Sequence, residues 1–276
     1  MNLIENRATQ MISYVFLGFA AFVALFPMAL MLLNSFKPAA DIIQNPLSWP
    51  EVYRWDNFTR AWQDAKFSQT FLNSAILTII TMVLVCTTGS MTAYVLARKK
   101  VKSWRLITGY LLATTTAPIQ LFMFPLYFTF ARLGLINNVF AVAFIYCALF
   151  SPFSIMLMRT YFLAVPKELE KAALVDGATH WQVFFHVMLP IVRPGILTVA
   201  LIVGLYTWNE FLIATTFMQS KDSMTAVVSF FLMSGQYTTD WGQLMAGATI
   251  IVLPVVLLFI FLHSNFINFQ SFFLQI

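Results

Sequence analysis

Side chains able to do chemistry are scarce in this sequence: 11 Asp and Glu, 16 Lys and Arg and 3 His stand among 276 residues that are 60% hydrophobic. Their longest interlude with the grammar of a helix is Lys167-Glu168-Leu169-Glu170-Lys171-Ala172-Ala173-Leu174-Val175-Asp176-Gly177, followed by Thr179-His180-Trp181-Gln182 and closed by Leu189-Pro190. Acids and bases interleaved with small residues make neither a nucleophile nor an acid–base pair. They make a face that docks, through ion pairs and close backbone approach. Elsewhere one acid stands inside an apolar segment, Glu210 in Tyr206-Thr207-Trp208-Asn209-Glu210-Phe211. Such a group costs about 3 kcal/mol at the centre of a spanning helix on insertion scales, so it is kept near an interface or for a task. The neighbouring Trp208 and Tyr206 argue for the outer interface. Aromatic faces beside the Asn209 amide and the Glu210 carboxylate would suit a sugar, stacking on its C–H face while bonding its hydroxyls. Structural anchoring and the lining of a solute path both fit. Gln120, in Pro118-Ile119-Gln120, is a second polar group placed where prolines at membrane depth free backbone carbonyls toward protein or a cavity; plain kinking fits as well.

A catalytic reading finds no footing. His180 and His186 are six residues apart and off one helical face, His263 is alone, and no paired carboxylates or nucleophile elbow appear. Cys86 and Cys147 lie within apolar runs and indicate neither a disulfide nor a metal site. No stretch reads Gly-x-x-x-x-Gly-Lys, so the chain has no phosphate loop of its own and any ATP-driven work would have to be borrowed from another chain. Catalytic, metal and cofactor residues are therefore expected to be absent.

The elements that must hold the polar run are short helices. Pro166 suits a first helical position, Leu169, Ala172 and Ala173 fall on one face, and Gly177 is placed for a left-handed cap. Thr179 and Gln182 spell a capping box that opens a second helix, which stops near Pro190. Around this knuckle the chain is lipid-soluble, with a mean hydropathy of +0.79. It reads as one all-α integral membrane domain over residues 1–276, with six spans at about 14–33, 71–97, 106–131, 139–158, 195–218 and 241–263 and the knuckle loop at 159–194 between spans four and five. Pro27 is a candidate kink, Asn57 a candidate cap for a short helix from Thr59 to Lys66, and Ala226 to Met233 a helix-like run in the loop from Gln219 to Asp240. Gly89, Ala93 and Ala97 recur every fourth position, a stripe that admits a neighbouring helix.

The net charge of +5 reports topology rather than nucleic-acid binding. Arg98 to Arg105 carries five positive charges in eight residues, and the side holding both termini, that cluster and the knuckle has ten Lys and Arg against six. Both termini and the knuckle are thus expected in the cytoplasm.

Ala172, Ala173 and Gly177, the spacing to Val187 and the closing Leu189-Pro190 resemble the Glu-Ala-Ala loop of the membrane subunits of ATP-binding-cassette importers. The motif's glutamate falls on Lys171, with Glu170 just before it. Asn34-Ser35-Phe36-Lys37-Pro38, Asn57-Phe58, Trp208-Asn209-Glu210-Phe211 and Leu253-Pro254 are similar to phrases of the smaller permease subunit of maltose-type carbohydrate importers. The tail from Asn265 lacks the Gly-rich basic ending common there. The resemblance implies a multi-pass permease of a bacterial or archaeal cytoplasmic membrane, surrounded by lipid and importing a sugar or oligosaccharide. Its partners would be ATPase subunits that carry ATP and Mg, a second related permease subunit and an extracytoplasmic solute-binding protein. ATPase coupling would fall to Glu170, Lys171, Ala172, Ala173, Asp176, Gly177, Leu189 and Pro190, and the solute path to Gln120, Trp208, Asn209 and Glu210. Importers of polyamines or glycerol phosphate share the loop. A gradient-driven transporter would need ionisable groups along the spans where only Glu210 is offered, and a scaffold that merely recruits a soluble partner is the third alternative.

Overall fold

The computed structural model describes residues 7–234 and 240–273, with side chains described over 10–234 and 240–260. Expectations about the first six residues, the middle of the 219–240 loop and the end of the tail fall outside these bounds. The described residues form helices and no strands. Four helices are long and apolar enough to cross a membrane, or six if each of two sharply bent pairs counts as one span. The chain divides into two compact units, residues 1–67 with 230–261 and residues 68–229 with 262–276.

In the first unit, α1 (Arg7–Asn34) runs unbroken through Pro27. Its apolar window buries no side chain within the chain, so lipid or another subunit must cover it. After it come α2 (Ala39–Gln44) and α3 (Asp56–Asp64). Asn57 does not cap α3; it lies inside the helix, buried, where its amide ties the loop together. Asn57 Nδ2 donates to the carbonyls of Ser35 (2.9 Å) and Lys37 (3.0 Å), and its Oδ1 accepts from Arg60 at 2.6 Å. Phe36 meets Phe58 at 5.1 Å between ring centroids, so the phrases Asn34–Pro38 and Asn57-Phe58, recognised separately in the sequence, form one packed unit. Arg60 then reaches Asp240 at 2.7 Å. Buried Lys37 is satisfied by the carbonyls of Asn45 and Pro46, each at 3.1 Å.

The second unit is built on α4 (Phe67–Ala97) and α7 (Val139–Ala164). Ala93 and Ala97 are buried, and a Cβ added to Gly89 would sit 3.6 Å from the Met158 sulfur, so α7 lies on the small-residue stripe. Asn138 caps α7, its Oδ1 accepting from the backbone N–H of Phe140 (3.0 Å) and Ala141 (3.1 Å). The expected third span is two helices, α5 (Trp104–Thr115) and α6 (Gln120–Arg132), bent by 95°. The hydroxyls of Thr114, Thr115 and Thr116 each donate to the carbonyl three residues back. Together with Pro118, which has no N–H and disfavours helix in the residue before it, they end the helix. Pro125, by contrast, sits within α6 without breaking it.

Beyond α7 come α8 (Lys167–Val175) and α9 (His180–Ile191), the latter widened to a π-helix over Val183–Met188. A helix carrying Pro190 must open around a ring that cannot hydrogen-bond, and the wider turn just before it gives that room. The expected fifth span is α10 (Arg193–Asn209), a break at Glu210 and Phe211, and a short α11 (Leu212–Phe217). A Cβ at Gly195 would collide with the Tyr161 ring, so only glycine lets α10 lie this close to α7. The helix-like run in the next loop is α12 (Ala226–Met233), and α13 (Trp241–Phe273) carries the last apolar run through Pro254 and past the expected end of the sixth span.

Candidate functional site

Helix α8 begins one residue later than the sequence suggests, with Pro166 as its extended cap residue rather than its first turn. It ends as expected. Gly177 adopts φ +88°, its N–H donates to the Leu174 carbonyl (3.1 Å), and the Ala178 N–H donates to that of Ala173 (3.0 Å). That pair of bonds is the Schellman arrangement, which fixes the exit direction of the chain. The next residue starts the reciprocal cap: Thr179 N–H donates to Gln182 Oε1 (2.8 Å), and Thr179 Oγ1 accepts from the Gln182 N–H (3.3 Å). Two helices are thus joined by four residues whose backbone N–H groups are satisfied locally, and such a joint transmits displacement instead of absorbing it.

A charge cluster braces this joint from inside. Glu170 is buried, with Arg98 Nε 2.9 Å from Oε2, Lys100 Nζ 2.7 Å from Oε1, and the Tyr94 hydroxyl donating to Oε1 at 2.8 Å. The Arg98 side chain is 4% exposed; its guanidinium also donates to the Val165 carbonyl at 3.1 Å and touches the Met188 sulfur at 3.8 Å. One guanidinium therefore holds the end of α4 against the entry to α8, the inward face of α8 and the π turn of α9. Partial burial alone would raise the Glu170 pKa. Hydrogen bonds from Lys100 and Tyr94 and the charges of Lys100 and Arg98 outweigh it, so the carboxylate titrates below its ordinary 4.5. Desolvation opposes the charge of Lys100, but its bonds to Glu170 and Tyr94 win and lift it above 10.5.

The outward face differs. Lys171, Ala172, Asp176, Gly177 and Pro190 are exposed, Ala173 and Leu189 are half-buried, and Glu170 alone of the eight coupling candidates turns fully into its own chain. Val175 is 87% exposed, and Trp181, stacked on Phe185 at 6.0 Å, is exposed as well. Nothing lies within 4 Å of a Cβ placed on Gly177. An exposed small-and-apolar ridge on a rigid base has the character of a docking element.

The solute-path candidates resolve into two places. Trp208, Asn209 and Glu210 lie together where α10 breaks. Glu210 accepts from the Tyr146 hydroxyl (2.6 Å) and from the first free N–H groups of α11, Ile213 (2.9 Å) and Ala214 (3.0 Å). Its carboxylate thus stands at a helix start, where negative charge is favoured, and anchors α11. Asn209 is exposed and donates to the Leu205 carbonyl at 2.8 Å. The buried Trp208 indole N–H has no hydrogen-bond partner among the described residues. Gln120 is exposed at the start of α6, and no hydrogen bond among the described residues joins it to that trio.

Sequence reasoning passed over Asn137, whose Oδ1 accepts from the Gln219 N–H (2.7 Å), the Ser220 N–H (2.9 Å) and the Ser223 hydroxyl (3.0 Å). Its left-handed φ of +65° after Gly134 (φ +66°) is the signal: asparagine is one of the few residues that accept that conformation. Asn73 fixes the same loop from another side, donating to the carbonyls of Asp222 (2.8 Å) and Met224 (3.0 Å).

The chain is similar to a solved bacterial ABC transporter involved in import of the acidic polysaccharide alginate, with a TM-score of 0.79 at 21% identity over 96% of this chain and 99% of that one. It is 35% identical to a diacetylchitobiose uptake system permease protein of Streptomyces coelicolor, over 92% of this chain and 85% of the relative. It is 32% identical to an arabinooligosaccharides transport system permease protein of Halalkalibacterium halodurans, over 95% and 96%. Residues 87–268, which contain the brace, the knuckle and the Glu210 break, match the family of binding-protein-dependent transport system inner membrane components, and the chain belongs to that family.

Proposed function

We propose that this chain is one permease subunit of an ATP-driven, binding-protein-dependent importer of a sugar or oligosaccharide. It crosses the cytoplasmic membrane of a bacterium or archaeon six times, α5 with α6 making the third crossing and α10 with α11 the fifth, with both termini and the knuckle in the cytoplasm. A second, related permease subunit completes the translocation path. ATP and Mg remain on partner ATPase subunits, and the α8–α9 knuckle docks there through Lys171, Ala172, Asp176 and the Gly177 edge. The extracytoplasmic solute-binding protein sits over loops tied by Asn57 and Asn137. The carrying observation is the knuckle: two capped helices, braced internally by Glu170, with an apolar ridge left bare. Closure of the ATPases around ATP moves the docked knuckles. Arg98 passes the movement to α4, and the cavity turns from inward-facing to outward-facing to receive the released solute. Trp208 and Asn209 offer an indole and an amide to that path, and Glu210 holds the break that positions them.

The relatives named for diacetylchitobiose and arabinooligosaccharides support the sugar assignment. The test is uptake by vesicles containing the full assembly, with ATP inside and an ionophore present. ATP-dependent uptake of an oligosaccharide without a gradient is expected. Gradient-driven uptake without ATP would overturn the reading, absence of any transport would favour a scaffold, and a polyamine or glycerol phosphate recovered with the assembly would overturn the solute class.

A further inference from the structure

The Arg98 to Arg105 segment holds more positive charge than the brace uses. Arg98 and Lys100 are committed to Glu170, whereas Lys99, Lys102, Arg105 and Arg159 pair with no carboxylate among the described residues. Three of these converge on one indole: the Lys99 ammonium lies 4.9 Å from the Trp104 ring centroid, the Arg105 guanidinium 5.4 Å and that of Arg159 6.0 Å. An aromatic face attracts a cation, but a single ring does not neutralise three like charges gathered around it. Arg159 Nε is buried and has no hydrogen-bond partner among the described residues.

The backbone adds a second observation. Lys99 sits at φ +54° where α4 ends, a left-handed position that glycine occupies without strain. Its N–H donates to the Leu96 carbonyl (3.3 Å) and the Lys100 N–H to that of Val95 (3.1 Å), the same cap that closes α8, and this turn leaves the Lys99 ammonium over the Trp104 face. A third comes from α5, where Arg105, Gly109 and Leu112 share one face at helical spacing. Nothing lies within 4 Å of a Cβ on Gly109, and Leu112 is exposed. A bare apolar strip therefore runs from the cations along the helix.

We propose that Lys99, Arg105 and Arg159 around Trp104 bind the phosphate of an anionic phospholipid headgroup, with an acyl chain lying along the Gly109–Leu112 strip. The continuity of cations with a lipid-facing strip favours a lipid over free phosphate, which has no use for the strip. Juxtamembrane basic residues draw anionic lipids electrostatically, and the convergence on one indole turns that general attraction into a defined site. The inference rests on the cytoplasmic placement of this segment and is independent of which solute is carried.

The test uses the complete transporter assembly, delipidated in detergent and titrated with phosphatidylglycerol or phosphatidylcholine under native mass spectrometry. Selective retention of phosphatidylglycerol is expected. It should fall roughly tenfold or more in a Lys99→Gln/Arg105→Gln double variant and persist in the charge-conserving Lys99→Arg/Arg105→Lys variant. Unchanged retention in the neutralised variant overturns the site. Displacement of the lipid by millimolar inorganic phosphate would assign a free-anion site instead. Loss of the ATPase subunit from the neutralised variant with its lipid retained would assign a protein contact. Failure of oligosaccharide uptake leaves the lipid readout intact, so the two readings fail separately.

Discussion

Replacing Glu170 by glutamine keeps the size of the side chain and removes its charge, leaving the guanidinium of Arg98 without its carboxylate. Arg98 is 4% exposed and would keep the Val165 carbonyl at 3.1 Å, the weak Met188 sulfur contact at 3.8 Å and at best a neutral amide oxygen, with no counter-charge. Removing one partner of a buried pair costs about 3–5 kcal/mol, because the other charge stays desolvated. Lys100 is 33% exposed and recovers water, so its lost pairing adds at most about 1 kcal/mol. Taking about 3 kcal/mol for the whole, the population of α8 detached from α4 rises by roughly two orders of magnitude. In hydrogen exchange of the assembled transporter, the amides of residues 167–178 should exchange about a hundredfold faster in Glu170→Gln, with the middle of α7 unchanged. In vesicles, more ATP should be hydrolysed per solute imported. The double variant Glu170→Gln/Arg98→Gln leaves no unpaired guanidinium and should recover part of the loss. Unchanged exchange in the single variant, or strict additivity in the double, would refute the brace.

Other substitutions probe the remaining links. Gly177→Val places a β-branched residue at φ +88° and should cost roughly 1–2 kcal/mol of local stability; it should reduce coupled uptake at normal membrane levels, and Gly177→Asn, which tolerates that φ, should restore much of it. Gly195→Ala drives a methyl group into the Tyr161 ring and should lower the melting temperature of the assembly by the equivalent of about 1–3 kcal/mol. Asn57→Ala leaves the Ser35 and Lys37 carbonyls unpartnered, takes one acceptor from Arg60, which keeps Asp240, and should destabilise this loop by about 1–3 kcal/mol, read as faster proteolysis between residues 34 and 66. Because the folded Glu170 pKa lies below 4.5, its stabilisation is fully present above 4.5 and is lost as pH falls through the folded value; Lys100, raised, contributes below 10.5 and loses its contribution above it. Exchange at α8 should therefore be independent of pH, after correction for intrinsic rates, from about 5 to 10. A transition near neutrality would show that another group controls the joint.

Local grammar carried the knuckle from sequence to structure. Gly177, Thr179 and Gln182 specify a cap and a capping box through neighbours at most five residues away, and both formed. The small-residue stripe of α4 was equally readable because helical spacing alone puts Gly89, Ala93 and Ala97 on one face. What was not readable depends on distant partners. The Arg98–Glu170 pair joins residues 72 apart, and nothing in either segment names the other. Asn57 was read as a cap because asparagine before a helix usually is one, yet here two carbonyls from the preceding loop compete for its amide. Hydropathy averages over a window and cannot see a bend, so α5 with α6, and α10 with α11, read as straight spans. The signals were present in the three consecutive threonines before Pro118 and in a glutamate able to start a new helix.

The central claim is that the α8–α9 knuckle receives its displacement from a nucleotide-driven partner. A photo-reactive side chain placed at Ala172, in the purified assembly, measures this directly. The account predicts a crosslink to the ATPase subunit whose yield changes when ATP closes the ATPase pair, while the same probe at Leu112 on the lipid-facing strip gives none. A probe at Ala172 that labels only the solute-binding protein, or that is reached by membrane-impermeant reagents from outside the cell, would contradict it.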